Sequence, residues 1–92
     1  MPNWGEFGAT RVAVYAKEAC HLCENVIFEL HKLHILPFEI STQDITKDAG
    51  LFERYKNIIP VVEVEGKIRL AGAALSNPST LESTLRKMLL TS

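Results

Sequence analysis

A chain of 92 residues, 47% of them hydrophobic, holds material for one small domain and too little for two. Ten basic against eleven acidic residues give a net charge of −1 with no basic run, which argues against nucleic acid or an acidic membrane surface as the main partner. There is no apolar stretch of about eighteen residues, the start lacks the charged and apolar regions of a secretory signal, and two cysteines form no secreted-type disulfide framework. The expectation is a cytoplasmic protein whose thiols are kept for chemistry.

Residues 1–10, with two glycines, a proline and no periodicity, read as a flexible tail; Trp4 and Phe7 are available there to dock on the domain edge. Residues 11–16, Arg-Val-Ala-Val-Tyr-Ala, form the first expected strand. Leu22, Val26, Leu30 and Leu33 recur at helical spacing and predict a helix over 20–33, with Pro37 marking a stop beyond it. A second strand covers 38–44, apolar at alternate positions early and polar later. Thr46 is the expected N-cap of a short helix over 47–56, weakened by Gly50 and carrying Leu51, Phe52 and Tyr55 as its apolar stripe.

Residues 58–70 contain two strands about Glu65-Gly66, where the glycine accepts a positive φ, and so predict a hairpin. Ala71-Gly72-Ala73-Ala74 reads as a small-residue loop. Asn77 before Pro78 is a cap followed by a first helical position, and Leu81, Leu85, Met88 and Leu89 supply the buried face of a last helix. The order is β-α-β-α-β-β-α. A strand–helix–strand crossover makes two strands parallel and the hairpin adds an antiparallel neighbour, giving an α/β fold: a mixed four-stranded sheet with helices on both faces.

Both cysteines stand in Cys20-His21-Leu22-Cys23, where the first strand hands over to the first helix. The opening N–H groups of a helix lack intrahelical partners and the macrodipole is positive there. A thiol at that end is stabilised as thiolate, its nucleophilic form. The competing reading is a pair of inert buried cysteines. His21 either raises the reactivity of Cys20 when protonated or is an exposed histidine of minor effect. A metal held by Cys20, Cys23, His31 and His34 is opposed by geometry. Eight helical residues put His31 about 12 Å along the axis from Cys23, beyond the reach of one zinc with bonds near ~2 Å. His31 and His34 suit a helix C-terminus instead.

Cys20-His21-Leu22-Cys23 after a strand, with Ile59-Pro60 opening a late hairpin, resembles the thioredoxin superfamily. With no additional strand and helix ahead of it, the chain resembles glutaredoxins in particular, over Arg11 to Leu90. The resemblance implies a tail at 1–10 and a thioredoxin-like, glutaredoxin-type domain at 11–92, with Cys20 and Cys23 as the catalytic pair. It also implies a substrate-binding set of Lys17, His21, Ile59, Pro60 and Gly72. Lys17 matches the family's lysine near the thiolate and the glutathione carboxylate. Ile58-Ile59-Pro60 falls where the family has Thr-Val-cis-Pro, and Gly72 falls in its Gly-Gly-acidic segment. Here that segment is Ala71-Gly72-Ala73-Ala74-Leu75, which lacks the acid. No proline separates the cysteines, and Val14 stands where thioredoxins carry a proton-shuttle aspartate.

The expected function is thiol–disulfide exchange on a disulfide-bearing protein or small thiol substrate, by a monomer with no tightly bound cofactor and no metal. Glutathione is a weak candidate co-substrate. Nothing encodes a flavin or nicotinamide site, so electrons come from an external reductase system. Two other readings stand beside it: a non-catalytic module whose Ile59 loop and Ala71–Leu75 segment dock a partner protein, and iron–sulfur bridging of two chains through Cys20 and glutathione.

Overall fold

Alternation sends Val12, Val14 and Ala16 to one side of the first strand, β1 (Thr10–Ala16), and leaves Tyr15 on the other. The computed structural model describes residues 10–33 and 38–90. Trp4, Phe7, His34, Pro37 and the tail apart from Thr10 fall outside the described residues. Thr10 itself opens β1, one residue before the boundary read from the sequence.

β1 lies inside the sheet. It runs parallel to β2 (Phe38–Asp44), with Ala16 opposite Asp44, and antiparallel to β3 (Val61–Val64), with Tyr15 opposite Val61. β4 (Lys67–Ala71) pairs antiparallel with β3, so the order is β2-β1-β3-β4. Among the described residues the result is a mixed four-stranded sheet carrying three helices, α1 (His21–Lys32), α2 (Ala49–Tyr55) and α3 (Pro78–Leu90). Among the described residues no helix is long and apolar enough to cross a membrane.

On one face, Val12, Val14, Ala16, Val62 and Val64 meet Cys23, Val26 and Leu30 of α1, its cap Leu33, and Leu81, Leu85, Met88 and Leu89 of α3. Each aliphatic side chain fully buried there contributes on the order of 1.5–3 kcal/mol. The α1 stripe is Cys23, Val26, Leu30 and Leu33; Leu22, expected on it, is only half-buried. The other face holds a smaller cluster of Ile45, Tyr55 and Val61, packed by Tyr15, Leu51 and Ile59.

The second helix differs from the one expected over 47–56 because two aspartates divide that stretch. The Asp44 carboxylate accepts the Thr46 amide at 2.9 Å and its hydroxyl at 2.6 Å, closing a 3-10 turn over Ile45–Lys47. Asp48 accepts the Leu51 amide at 3.1 Å and caps α2. Thr46 is therefore held inside the turn by Asp44 and caps nothing. The apolar stripe is narrower too: Tyr55 is buried, Leu51 half-buried, and Phe52 37% exposed.

The hairpin turns at Glu65 (φ 51°) and Gly66 (φ 82°), both positive as a two-residue type I′ loop requires. Glu65 tolerates this because its amide donates to the Arg11 carbonyl at 2.9 Å while its carboxylate accepts the Arg11 amide at 2.9 Å. Ala71 belongs to β4, and Gly72–Leu75 is a 3-10 turn where an open loop was expected. Asn77 accepts the Ser79 amide at 3.0 Å ahead of α3.

Candidate functional site

Strand register carries two distant sequence motifs to one end of the sheet. β1 ends at Ala16, and because Tyr15 faces Val61 in an antiparallel pair, the start of β3 lies beside the exit of β1. Ile59 and Pro60 immediately precede β3 and so stand at that end. The parallel pairing adds Asp44 to the same end.

Between β1 and α1 the backbone passes through the left-handed region at Ala19 (φ 58°). A residue with a Cβ costs about 1–2 kcal/mol there. Cys20 then returns to an extended conformation, φ −113° and ψ 103°, and forms the N-cap of α1. Its Sγ accepts the Cys23 amide at 3.2 Å, and its carbonyl accepts the Glu24 amide at 3.0 Å. The helix expected to include Cys20 thus starts one residue later, and the sulfur takes the place a serine or aspartate oxygen occupies at other helix starts.

Cys20 and Cys23 are at disulfide-bonding distance, with Cα atoms 5.2 Å apart. The pair is asymmetric. Cys23 is 1% exposed and belongs to the main core, whereas Cys20 is half-buried and packs on that core from its edge. Cys20, the less covered of the two, stands at the positive end of a twelve-residue helix.

The remaining residues expected at the site fall into two groups. Ile59 bridges both hydrophobic clusters, Pro60 is buried, and the Ile59–Pro60 peptide is cis. Gly72 donates its amide to the Pro60 carbonyl at 2.9 Å. At φ 43°, a Cβ on Gly72 would lie 3.1 Å from the Ile58 carbonyl oxygen. Glycine is favoured here because the backbone takes a positive φ and the 3-10 turn presses against the proline loop.

Lys17 and His21 are exposed. The His21 imidazole turns toward Glu24, Nδ1 lying 3.8 Å from its carboxylate. Lys17 lines a cleft of about 200 Å³ together with Cys23, Glu18, Glu24 and Asp44. The hydrogen bonds from the Thr46 hydroxyl and then its amide hold the Asp44 carboxyl below the usual carboxylate range, so it stays ionised. Sequence reasoning did not select Ala19, Glu18, Glu24 or Asp44 for the site. Nothing in an alanine announces a left-handed backbone, and the carboxylates converge only through folding.

Behind the sheet, Tyr15 and Tyr55 share one carboxylate. Their hydroxyls donate to Glu63 Oε1 at 3.0 Å and Oε2 at 3.2 Å, with ring centroids 4.9 Å apart. Burial first, and then the Glu63 anion, pushes the Tyr15 phenol above its ordinary range. This cluster anchors α2 beneath the strand that leads into the cysteines.

The sequence matches the glutaredoxin-like domain family (DUF836) over residues 11–90. No curated protein matches the chain. A pair of cysteines at disulfide distance, at the start of a helix, fits a thiol redox role. The matched region takes in the cysteine pair, all three helices and the sheet from the second residue of β1 onward, and the chain belongs to the glutaredoxin-like domain family.

Proposed function

We propose that the protein is a dithiol–disulfide oxidoreductase in which Cys20 attacks and Cys23 resolves. The observation that carries this reading is the asymmetry of the pair, an edge-exposed Cys20 capping α1 and a covered Cys23 one turn inside it.

The Cys20 thiolate attacks one sulfur of the substrate disulfide along the S–S axis. A Cys20–substrate mixed disulfide forms, and the other substrate sulfur leaves as a thiolate that takes up a proton. Cys23, deprotonated, then attacks the Cys20 sulfur. The Cys20–Cys23 bond forms, the mixed disulfide breaks, and the second substrate thiol departs. The protein gives up two electrons and two protons, and the substrate takes them. An external dithiol reductant restores the pair.

Around this step, the Ile59 backbone holds an extended substrate chain by strand-like hydrogen bonds beside Pro60. Lys17 supplies a positive charge near the developing thiolate, and His21 adds to it when protonated. Gly72 keeps the proline loop in place through its bond to the Pro60 carbonyl.

The test is oxidation of the reduced protein by bis(2-hydroxyethyl) disulfide, followed by intact mass. Wild type should lose two hydrogens and retain no adduct. Cys23→Ser should accumulate the mixed disulfide on Cys20, and Cys20→Ser should react only slowly. A wild type that is not oxidised, or an adduct that builds up on Cys23 in preference to Cys20, overturns the reading.

A further inference from the structure

The cleft beside Cys23 has a composition that the exchange reaction by itself does not require. Its floor is apolar, made by Ala16 at the end of β1, Ile27 of α1 and the covered Cys23. Its lining also takes in three acidic residues, Glu18, Glu24 and Asp44, against one basic residue, Lys17. The volume of about 200 Å³ is below the range for drug-sized ligands but holds one long side chain. Asp44 is fixed in the ionised form by its two bonds from Thr46. Glu24 has the exposed His21 imidazole 3.8 Å away.

An apolar floor with an anionic rim complements a side chain that has a methylene stem and a cationic head. We infer that this cleft receives a lysine or arginine side chain flanking the disulfide cysteine of a polypeptide substrate. The stem lies along Ala16 and Ile27 while the ammonium or guanidinium meets the carboxylates. With Cys23 in the wall, a residue seated there lies beside the cysteine pair. The same rim disfavours a substrate with an acidic neighbour, which would bring like charges together in a partly desolvated groove. This inference rests on the exchange reaction proposed above and names the substrate class for it.

Two measurements test it, and they fail separately. In the first, the reduced protein is oxidised by symmetric disulfides of the blocked peptides Gly-Cys-Lys-Gly, Gly-Cys-Gln-Gly and Gly-Cys-Glu-Gly. The lysine peptide should react about tenfold faster than the glutamate peptide at low salt, the preference shrinking as salt screens it. In Glu18→Gln/Glu24→Gln the preference should fall to a few-fold or less. A preference that is absent, or that the double variant leaves unchanged, overturns the inference. In the second, the oxidised protein is titrated with blocked Gly-Ser-Lys-Gly, which cannot exchange, and backbone amide shifts are followed. Movement at Ala16, Ile27 and Thr42 with the lysine peptide, and none with Gly-Ser-Glu-Gly, supports the cleft. Equal or absent movement with both refutes it. A reduced protein inert to all three disulfides would remove the redox reading, and the titration would still decide what the cleft binds.

Discussion

The Cys23 amide donates to the Cys20 sulfur at 3.2 Å, so the two cysteines stand in different surroundings. Cys20 receives a helix N–H, while Cys23, one turn further in, lies 1% exposed among apolar side chains. A hydrogen bond to a sulfur anion and the positive helix end favour thiolate at Cys20, and apolar burial opposes it at Cys23. The pH dependence of alkylation in the single variants should show this order. Near pH ~6.5, below the ordinary thiol range, Cys20 in Cys23→Ser should react faster than Cys23 in Cys20→Ser. The reverse order would mean that the roles are exchanged.

Ala19 supplies a prediction about stability at the site entrance. Its left-handed backbone costs about 1–2 kcal/mol. Ala19→Gly removes that cost and gives up roughly 0.4–1 kcal/mol through the freer unfolded chain. The strain term is the larger, so the glycine variant should be equal to wild type or up to about 1.6 kcal/mol more stable in urea unfolding. Ala19→Val should lose about 1–2 kcal/mol, because a β-branched side chain suits the left-handed region least. A glycine variant clearly less stable than wild type would show that the turn is not held as described.

Much of this fold was legible in the sequence, and the misses have local causes. Val12, Val14 and Ala16 alternate, and Val26, Leu30 and Leu33 recur with helical period, so β1 and α1 emerge from patterning alone. The Asn77-Pro78 pair marks the start of α3 for the same kind of reason. Thr46 misled because threonine and aspartate both cap helices, and in Asp44-Ile45-Thr46-Lys47-Asp48 three candidates compete. Only the structure shows Asp44 taking Thr46 and leaving Asp48 for α2. At the candidate site, the cysteine motif could be read directly and the Ile59-Pro60 dipeptide through the family resemblance. The carboxylate rim could not, since Glu18, Glu24 and Asp44 come from a turn, a helix and an edge strand. A strand register was needed to bring them together.

Tyr15 carries a pH prediction on the opposite face of the sheet. Burial and the Glu63 anion disfavour phenolate, so its folded pKa stands above the ordinary 10.0. A group whose folded value is raised contributes stability that is complete below its unfolded value and is lost as pH climbs through the folded one. In Tyr55→Phe, where Tyr15 is the only remaining tyrosine, phenolate absorbance should develop above pH 10. Adding Glu63→Gln should move that titration to lower pH, since both the hydrogen-bond acceptor charge and the like-charge repulsion are removed. Thermal stability of wild type should fall through the same alkaline window. A Tyr15 titration indifferent to Glu63→Gln would show that desolvation acts alone.

The last prediction concerns glutathione, whose γ-glutamyl end presents an ammonium and a carboxylate together. Burying such a group is costly unless each charge meets a partner. Lys17 is an exposed cation available to a carboxylate, but the turn at Gly72–Leu75 offers the ammonium no side-chain acceptor at its described side chains: Ala74 is exposed and apolar, and Leu75 is 2% exposed and committed to the core. Asn77 is occupied by the Ser79 amide and hydroxyl, at 3.0 Å and 2.8 Å. A missing charge-assisted hydrogen bond of roughly 1.5–3 kcal/mol corresponds to about ten- to a hundredfold in affinity. Turnover of a small mixed disulfide with glutathione should therefore be slow, while a dithiol reductant such as dithiothreitol restores the oxidised protein readily. Ala74→Asp puts an acceptor on an exposed position of that turn and should raise glutathione turnover by about tenfold, the lower end of that range because the site is open to water. Efficient glutathione turnover by wild type would mean that backbone carbonyls of the turn already satisfy the ammonium.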